Sequence, residues 1–183
     1  MSEPARTDDT LAGPDTPVDL DAVRRAAVLL GPHLAATPVL PAWDGVQLKA
    51  ESLHTAGSFK IRGALLTMLR LGDQGGLADG VICHSSGNHA IAVAEAGRRL
   101  GTGVVAVMPR DAPAAKISRT RDLGAEVHLV GSGSDERVEV AMRVASERGL
   151  TMIEPYDSDH VVAATGTIAL ELLDQAPDVD EIH

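Results

Sequence analysis

Lys60 is the residue whose setting in the sequence most clearly suggests chemistry. It follows Gly57, Ser58 and Phe59 and stands where an apolar run typical of a helix begins. A positive side chain is unfavourable there, because the first turn is the positive end of the helix dipole. That dipole contributes only about 0.3–1 kcal/mol, too little to free a lysine amine of its proton, whereas condensation with a carbonyl compound removes the charge. The alternative is a solvated surface lysine, which the spacing alone favours.

A second candidate site is the loop HSSGNHA at residues 84–90. The pattern places it between a buried strand and a helix, and ligands of doubly wound sheets bind beyond the carboxyl ends of the strands. Backbone N–H groups at the start of that helix can hold a carboxylate or a phosphate, and Gly87 allows close approach. Ser85, Ser86 and Asn88 add neutral donors. Ordinary capping by serine and asparagine is the alternative.

Both stretches belong to a regular alternation of strands and helices. Short, buried, β-branched runs are each followed by a helical segment of about ten to fifteen residues. This alternation predicts right-handed crossovers and a doubly wound α/β fold, with a parallel sheet covered on both faces. The predicted strands are GVICH, VVAVMP, EVHLVG and TMIEPY, and the helices that follow them are HAIAVAEAGRRLG, APAAKISRTRDLG, DERVEVAMRVASERG and VVAATGTIALELLDQ.

The segment before this alternation is predicted to hold two helices and a pair of extended runs. Asp19 or Asp21 can cap a helix through AVRRAAVLL, and a helix from Lys60 is expected to reach about Leu71. TPVLPAW is extended by its prolines, and VQLKAE alternates like a strand. Residues 1–17 are rich in Asp, Thr, Pro and Ala and are predicted to be a disordered tail.

Composition narrows the class of protein. The 183 residues are 44% hydrophobic and carry a formal net charge of −10, which predicts one or two domains with a proper core. The acidic balance argues against binding to nucleic acid or to an anionic membrane, and no apolar stretch approaches the ~18 residues of a membrane span. Cys83 is the single cysteine, so a reducing cytoplasm is the simplest interpretation. We expect no metal at Cys83, His84 and His89, because no fourth ligand is near in the sequence.

The stretches GSFKIRGA and SSGNHA together resemble the threonine/serine dehydratase and serine racemase group of pyridoxal-phosphate enzymes, the fold-type-II class to which the tryptophan synthase β subunit also belongs. MPRDAPAAKISRTRDLGAEVHLVG and GTIALELL extend the resemblance, which runs from about Thr37 to the last residue. It implies that residues 18–78 and 158–183 belong to a large cofactor domain and that residues 79–157 form a small α/β domain.

The resemblance also implies roles for individual residues. Lys60 would hold pyridoxal 5'-phosphate as a Schiff base and act as the base at the substrate Cα, and Phe59 would pack near the cofactor ring. Asn88 would hydrogen-bond the 3'-oxygen of that ring. A hydroxy amino acid would lose its Cα proton and β-hydroxyl and leave as a 2-oxo acid and ammonia. The loop expected to take this small amino-acid substrate comprises Ser85, Ser86, Gly87, Asn88 and His89.

Several alternatives remain open on the same residues. Ser86 looks like the acid/base residue of serine racemases, while dehydratases often have alanine there, so a serine racemase or hydroxyaspartate dehydratase is the nearest alternative. Cysteine-synthase-like sulfhydrylases usually carry an acidic residue where Ile61 stands. A non-catalytic fragment or partner-binding subunit is the alternative from another class. The resemblance further implies a homo-oligomer when the protein is full length.

The last residues, VDEIH, look like the beginning of a further strand. In the resembled enzymes a glycine-rich loop that cradles the cofactor phosphate follows that strand, so the fold is expected to be incomplete at its C-terminus. On this basis we predict that the isolated chain binds the cofactor weakly or not at all.

Overall fold

The computed structural model describes residues 18–183, and the tail predicted at residues 1–17 lies outside the described residues. The elements are six helices, six strands and one short 3-10 turn within that range. In chain order they are α1 (Leu20–Leu30), β1 (Val39–Trp43), β2 (Val46–Lys49), the 3-10 turn (Glu51–Leu53), α2 (Lys60–Asp73), β3 (Val81–His84), α3 (Asn88–Leu100), β4 (Val104–Pro109), α4 (Ala114–Asp122), β5 (Glu126–Val130), α5 (Ser134–Arg148), β6 (Thr151–Met152) and α6 (Asp159–Gln175).

A four-stranded parallel sheet forms the centre of the fold. Its strand order is β5-β4-β3-β6, and every pairing is parallel. The strands β3 and β4 are in register from Val81 opposite Val104 onwards. Their β-branched residues are buried, as expected for a sheet with helices on both faces. The predicted α/β class with a parallel sheet is therefore confirmed.

The fourth predicted strand is shorter than expected. TMIEPY forms only the two-residue strand Thr151–Met152 at the edge of the sheet. The backbone N–H of Ile153 still donates to the carbonyl of Ile82 at 2.8 Å. The ladder then stops near Pro155, which has no N–H to donate.

The strand predicted to begin at VDEIH is not present. Residues 179–183 adopt neither helix nor strand, and Glu181–His183 are exposed. A strand needs a neighbouring backbone to pair with, and these residues pair with none of the described strands.

The helices divide between the two faces of the sheet and a separate group. Alternate residues of β3 enter different cores, with Cys83 on the side of α2 and α3 and Ile82 on the side of α5. Helix α4 packs against α3 and β5, whereas α1 and α6 pack together and against α2. Asp19 caps α1 through its carboxylate, which accepts from the N–H of Ala22 at 2.7 Å. No helix among residues 18–183 is long and apolar enough to cross a membrane.

Two glycines let this helix group pack closely. A Cβ at Gly166 of α6 would lie 2.8 Å from Val23 of α1, and a Cβ at Gly63 of α2 would lie 3.2 Å from Val161 of α6. Contacts this short leave no room for a side chain. The N-terminal turn of α2, which carries Lys60, is therefore held directly against α6.

Candidate active site

Lys60 is the first residue of α2, and neutral groups surround its amine. Nζ donates a hydrogen bond to the carbonyl of Pro155 at 2.8 Å. It also lies 5.3 Å from the ring centroid of Phe59 and 6.0 Å from that of Tyr156, both within the range of a cation–π contact. Among the described residues no carboxylate forms an ion pair with it. The amine is thus positioned without a permanent anionic partner.

A shallow pocket lies beside this amine and is open to solvent. The N-terminal half of α2 forms one wall, and the first turns of α3 and α6 form the others. The pocket lies at the carboxyl ends of the strands, where ligands of such sheets bind. Its lining residues are Phe59, Lys60, Gly63, Ala64, His89, Pro155, Val161 and Thr165.

The loop between β3 and α3 leaves the start of α3 open. Gly87 is the N-cap residue, and no side chain caps the first turn within the described structure. The hydroxyl of Ser85 instead accepts from the N–H of Gly87 at 3.1 Å. Ser86 and Asn88 are exposed. The first N–H groups of α3 therefore remain available for an anion, and ordinary capping does not account for the loop.

Lys116 in the first turn of α4 covers Gly87. A Cβ at Gly87 would lie 2.5 Å from Cδ and 2.9 Å from Nζ of this lysine. Within residues 18–183 the Lys116 amine has no hydrogen-bond or ion-pair partner, so its positive charge faces the positive end of α3. An anion between the two would relieve that repulsion. No sequence pattern pointed to Lys116, because the contact joins elements that are far apart in the chain.

His89 connects the loop to the pocket. Its side chain is 4% exposed, and Nε2 donates to the carbonyl of Ile153 at 3.0 Å. Burial lowers the pKa of the imidazole to about 4, and the nearby Lys60 and His84 act in the same direction. The ring is therefore neutral at pH 7, with its proton on Nε2 because a carbonyl can only accept. Because the Nε2 proton already donates to the Ile153 carbonyl, only the backbone N–H of His89 can donate to a substrate carboxylate.

The sequence-predicted residues fall into two adjoining groups. Phe59, Lys60 and His89 line the pocket, and Ser85 to Asn88 form the loop that leads into α3. Two residues that sequence reasoning missed, Pro155 and Tyr156, contact the Lys60 amine from the turn after β6.

A buried ion-pair network fixes the helix that carries Lys60. Arg62 is 1% exposed, and its guanidinium bonds the carboxylates of Glu51 and Glu171 at 2.6–2.9 Å. Lys49 adds a bond to Glu171 at 2.7 Å. Burial alone would raise the pKa of Glu51, but the nearby His54 ring and hydrogen bonds from Arg62 and Thr37 offset it and hold the pKa well below its usual range. The network ties α2 to the 3-10 turn, β2 and α6.

The candidate metal ligands do not form a metal site in the described residues. Burial raises the pKa of the Cys83 thiol to about 12, so the free thiol is protonated at neutral pH. No group of three or more metal-ligating side chains occurs within residues 18–183.

Comparison with known proteins gives a consistent result. A family model described as pyridoxal-phosphate dependent enzyme matches residues 30–183. L-threonine ammonia-lyase of Thermotoga maritima is 42% identical over 137 residues, covering 75% of this chain and 34% of that protein. Serine racemase of Oryza sativa is 36% identical over 171 residues, covering 90% of this chain and 50% of that protein. The solved structure of maize serine racemase superimposes with a TM-score of 0.84 at 36% identity, over 88% of this chain and 51% of that one. The chain thus spans about half or less of the length of these relatives.

Proposed function

Because the chain belongs to the family of pyridoxal-phosphate dependent enzymes, we propose that the whole protein is an ammonia-lyase acting on L-threonine or L-serine. The reaction removes the Cα proton and the β-hydroxyl and yields a 2-oxo acid and ammonia. The observation that carries the proposal is the Lys60 amine, held by neutral groups at the pocket beside the open N-terminus of α3. The similarity to L-threonine ammonia-lyase supports the choice of reaction.

The described residues fit the aldehyde end of pyridoxal phosphate. Lys60 is an amine without a carboxylate partner among them, and the Phe59 ring beside it is 38% exposed. The hydroxyl of Ser58 is buried and has no hydrogen-bond partner within the described structure. Buried hydroxyl groups without a hydrogen-bond partner are uncommon in proteins, so the Ser58 hydroxyl is consistent with a hydrogen bond to a bound ligand. Lys60, Phe59 and Asn88 would hold the cofactor.

The chain's own residues would divide the work as follows. Bound pyridoxal phosphate supplies an electron sink for the charge that develops at the substrate Cα. The N–H groups of Ser86, Asn88 and His89 would hold the substrate carboxylate and orient the Cα–H bond, because those of Ser85 and Gly87 already donate within the protein. Lys60 takes the Cα proton and is the general base. The apolar part of the pocket wall, formed by Phe59, Ala64, Pro155 and Val161, would limit the access of water to the reacting atoms.

We also infer the larger organisation of the protein. The packing of α1 and α6 against α2 supports a large domain built from residues 18–78 and 158–183, and the sheet of β3 to β6 supports a small domain at residues 79–157. A single cysteine supports a reducing cytoplasm. The exposed cross-strand pair Leu40 and Leu48 supports a homo-oligomer.

Serine racemase is the second candidate function. The maize and rice serine racemases match most of this chain, and Ser86 is exposed at the mouth of the loop. Incubating the whole protein with L-serine separates the two functions. D-serine that disappears in a Ser86→Ala variant would favour the racemase, whereas 2-oxo acid and ammonia without inversion would favour the lyase.

The proposed function is tested by covalent labelling of the amine. The chain contains three lysines, Lys49, Lys60 and Lys116, so each can be followed by peptide mass spectrometry. After treatment with pyridoxal phosphate and borohydride, we expect Lys60 to be labelled in preference to Lys116. The label should vanish from that peptide in Lys60→Ala and persist in Lys116→Ala.

The same experiment addresses the non-catalytic alternative. A label on Lys116 alone, or on no lysine in the whole protein, would show that Lys60 does not hold the cofactor and would favour a remnant or partner-binding subunit. Millimolar reagent compensates for the weak binding predicted for the isolated chain.

A further inference from the structure

Tyr156 is an aromatic residue beside Lys60 for which the sequence analysis predicted no role. The chain contains only three aromatic residues, Trp43, Phe59 and Tyr156. Two of them lie within 6.0 Å of the Lys60 amine. In a chain so poor in aromatic rings, this concentration at one amine calls for an explanation.

The turn that carries Tyr156 is anchored at both ends. On one side, the N–H of Ile153 donates to the carbonyl of Ile82 at 2.8 Å and ties the turn to β3. On the other side, the hydroxyl of Ser158 accepts from the N–H of Val161 at 3.3 Å and caps α6. Between them Asp157 has a φ of 62°, a left-handed conformation that aspartate tolerates better than most residues. The ring is thus positioned by a fixed backbone although it is 61% exposed.

The position of the ring suits a flat group attached to Lys60. Tyr156 does not line the pocket itself but lies on the exposed side of the amine. Aromatic rings in contact have centroids about 4.5–7 Å apart. A ring joined to Nζ through one carbon would therefore come within reach of both Phe59 and Tyr156.

We propose that Tyr156 is a contact residue for a flat aromatic aldehyde at Lys60 and favours such compounds over small aliphatic aldehydes. This rests on the proposed function, because Lys60 must be the condensing amine. In the condensation, Nζ forms a C=N bond with the aldehyde carbon, the carbonyl oxygen leaves as water and the ammonium proton goes to solvent. Lys60 gives up its hydrogen bond to the Pro155 carbonyl, while the Tyr156 ring stays beside the amine and contacts the incoming ring.

The test compares two aldehydes on one set of variants. Wild type, Tyr156→Ala, Tyr156→Phe and Trp43→Ala are labelled with pyridoxal phosphate or with formaldehyde and then reduced with a borohydride reagent. The labelling rate of Lys60 is measured relative to Lys116 in the same molecule. Trp43, which is 69% exposed in the β1–β2 hairpin, provides the control for loss of an exposed ring.

We expect a response that depends on the aldehyde. Tyr156→Ala should slow labelling by pyridoxal phosphate about two- to tenfold, the range expected for one aromatic pair. It should leave labelling by formaldehyde unchanged or faster, because the ammonium loses a stabilising ring. Tyr156→Phe and Trp43→Ala should behave as wild type with both reagents. Circular dichroism verifies that each variant is folded.

Three results would overturn the inference. An equal effect of Tyr156→Ala on both aldehydes would show a general disturbance of Lys60, and no effect on either would show that the ring makes no contact. A defect in Tyr156→Phe as large as that in Tyr156→Ala would show that the hydroxyl, and not the ring, is what matters. If wild-type Lys60 is not labelled by pyridoxal phosphate, the proposed function fails as well, so the two failures are distinguishable.

Discussion

The Lys60 amine illustrates how neutral contacts can position a charge. One carbonyl and two aromatic rings hold it, and each of these contacts is weak enough to be exchanged for a covalent bond. A carboxylate partner would have stabilised the ammonium more strongly and opposed condensation. The neutral imidazole of His89 nearby adds no opposing charge.

A single added methyl group at Gly87 tests whether the loop between β3 and α3 binds an anion. In Gly87→Ala the new Cβ would displace the Lys116 side chain, which lies 2.5–2.9 Å from that position. Because the displaced atoms are the end of a flexible chain, the free energy of unfolding should change by less than about 1 kcal/mol. The substrate KM of the whole protein should rise about tenfold, because the new methyl group would keep the substrate carboxylate from the N–H groups at the start of α3 and from the Lys116 amine.

Gly103→Ala is the matched control for that substitution. A Cβ at Gly103 meets no atom within 4 Å, so neither stability nor KM should change. A normal KM in Gly87→Ala, despite a displaced Lys116, would show that the loop does not bind the substrate carboxylate.

At the level of elements, the helices and strands that are specified by local sequence patterns were predicted well. The strands β3 and β4 and the helices α2 and α3 follow the predicted segments closely, because their periodicity and their flanking glycines are local signals. The length predicted for β6 was wrong, since the length of this strand depends on pairing with a neighbouring strand and on the position of Pro155. The Lys60 and SSGN stretches were predicted to belong to one site, and their role stays a prediction. Lys116 and Tyr156 were missed because their contacts join distant parts of the chain.

The network around Arg62 predicts a large effect of one buried substitution. In Arg62→Met the carboxylates of Glu51 and Glu171 would lose their shared cation. Leaving buried charges uncompensated costs about 3–5 kcal/mol, so the free energy of unfolding measured in urea should fall by about that amount.

An exposed arginine gives the comparison for this result. Arg143 pairs with Glu147 on the surface of α5, and both side chains are more than half exposed. Arg143→Ala should change the free energy of unfolding by about 0.5 kcal/mol or less. Equal losses in the two variants would mean that the Arg62 network does not hold α2 in place.

For the whole molecule, the titrating groups predict loss of stability in acid. Burial tends to raise the pKa of Glu171, but hydrogen bonds from Arg62 and Lys49 outweigh it and lower the pKa, and Glu51 behaves likewise. A carboxylate whose pKa is lower in the folded state stabilises the fold above its unfolded value, about 4.3, and this contribution disappears as the pH falls. The pKa of His89 is about 4 in the folded state and about 6.5 in the unfolded state. Its contribution to the stability of the fold is therefore also lost as the pH falls between those two values.

We therefore expect the free energy of unfolding to decline from about pH 6.5 downwards and to decline more steeply below about pH 4.3. Urea titrations at a series of pH values measure it. Glu171→Gln should flatten the steeper part and leave the part assigned to His89. A stability that is constant from pH 7 to pH 4 would contradict these assignments.

The contact of α6 with α1 and α2 has a consequence for how the polypeptide is made. On the ribosome, α1 and α2 emerge before the four strands of the parallel sheet, and α6 emerges after those strands. Because domains form as their segments emerge, the nascent sheet can close while the helix bearing Lys60 still lacks the partner that Gly63 and Gly166 are shaped to receive. The amine site is thus completed only after the strands of the parallel sheet have been made.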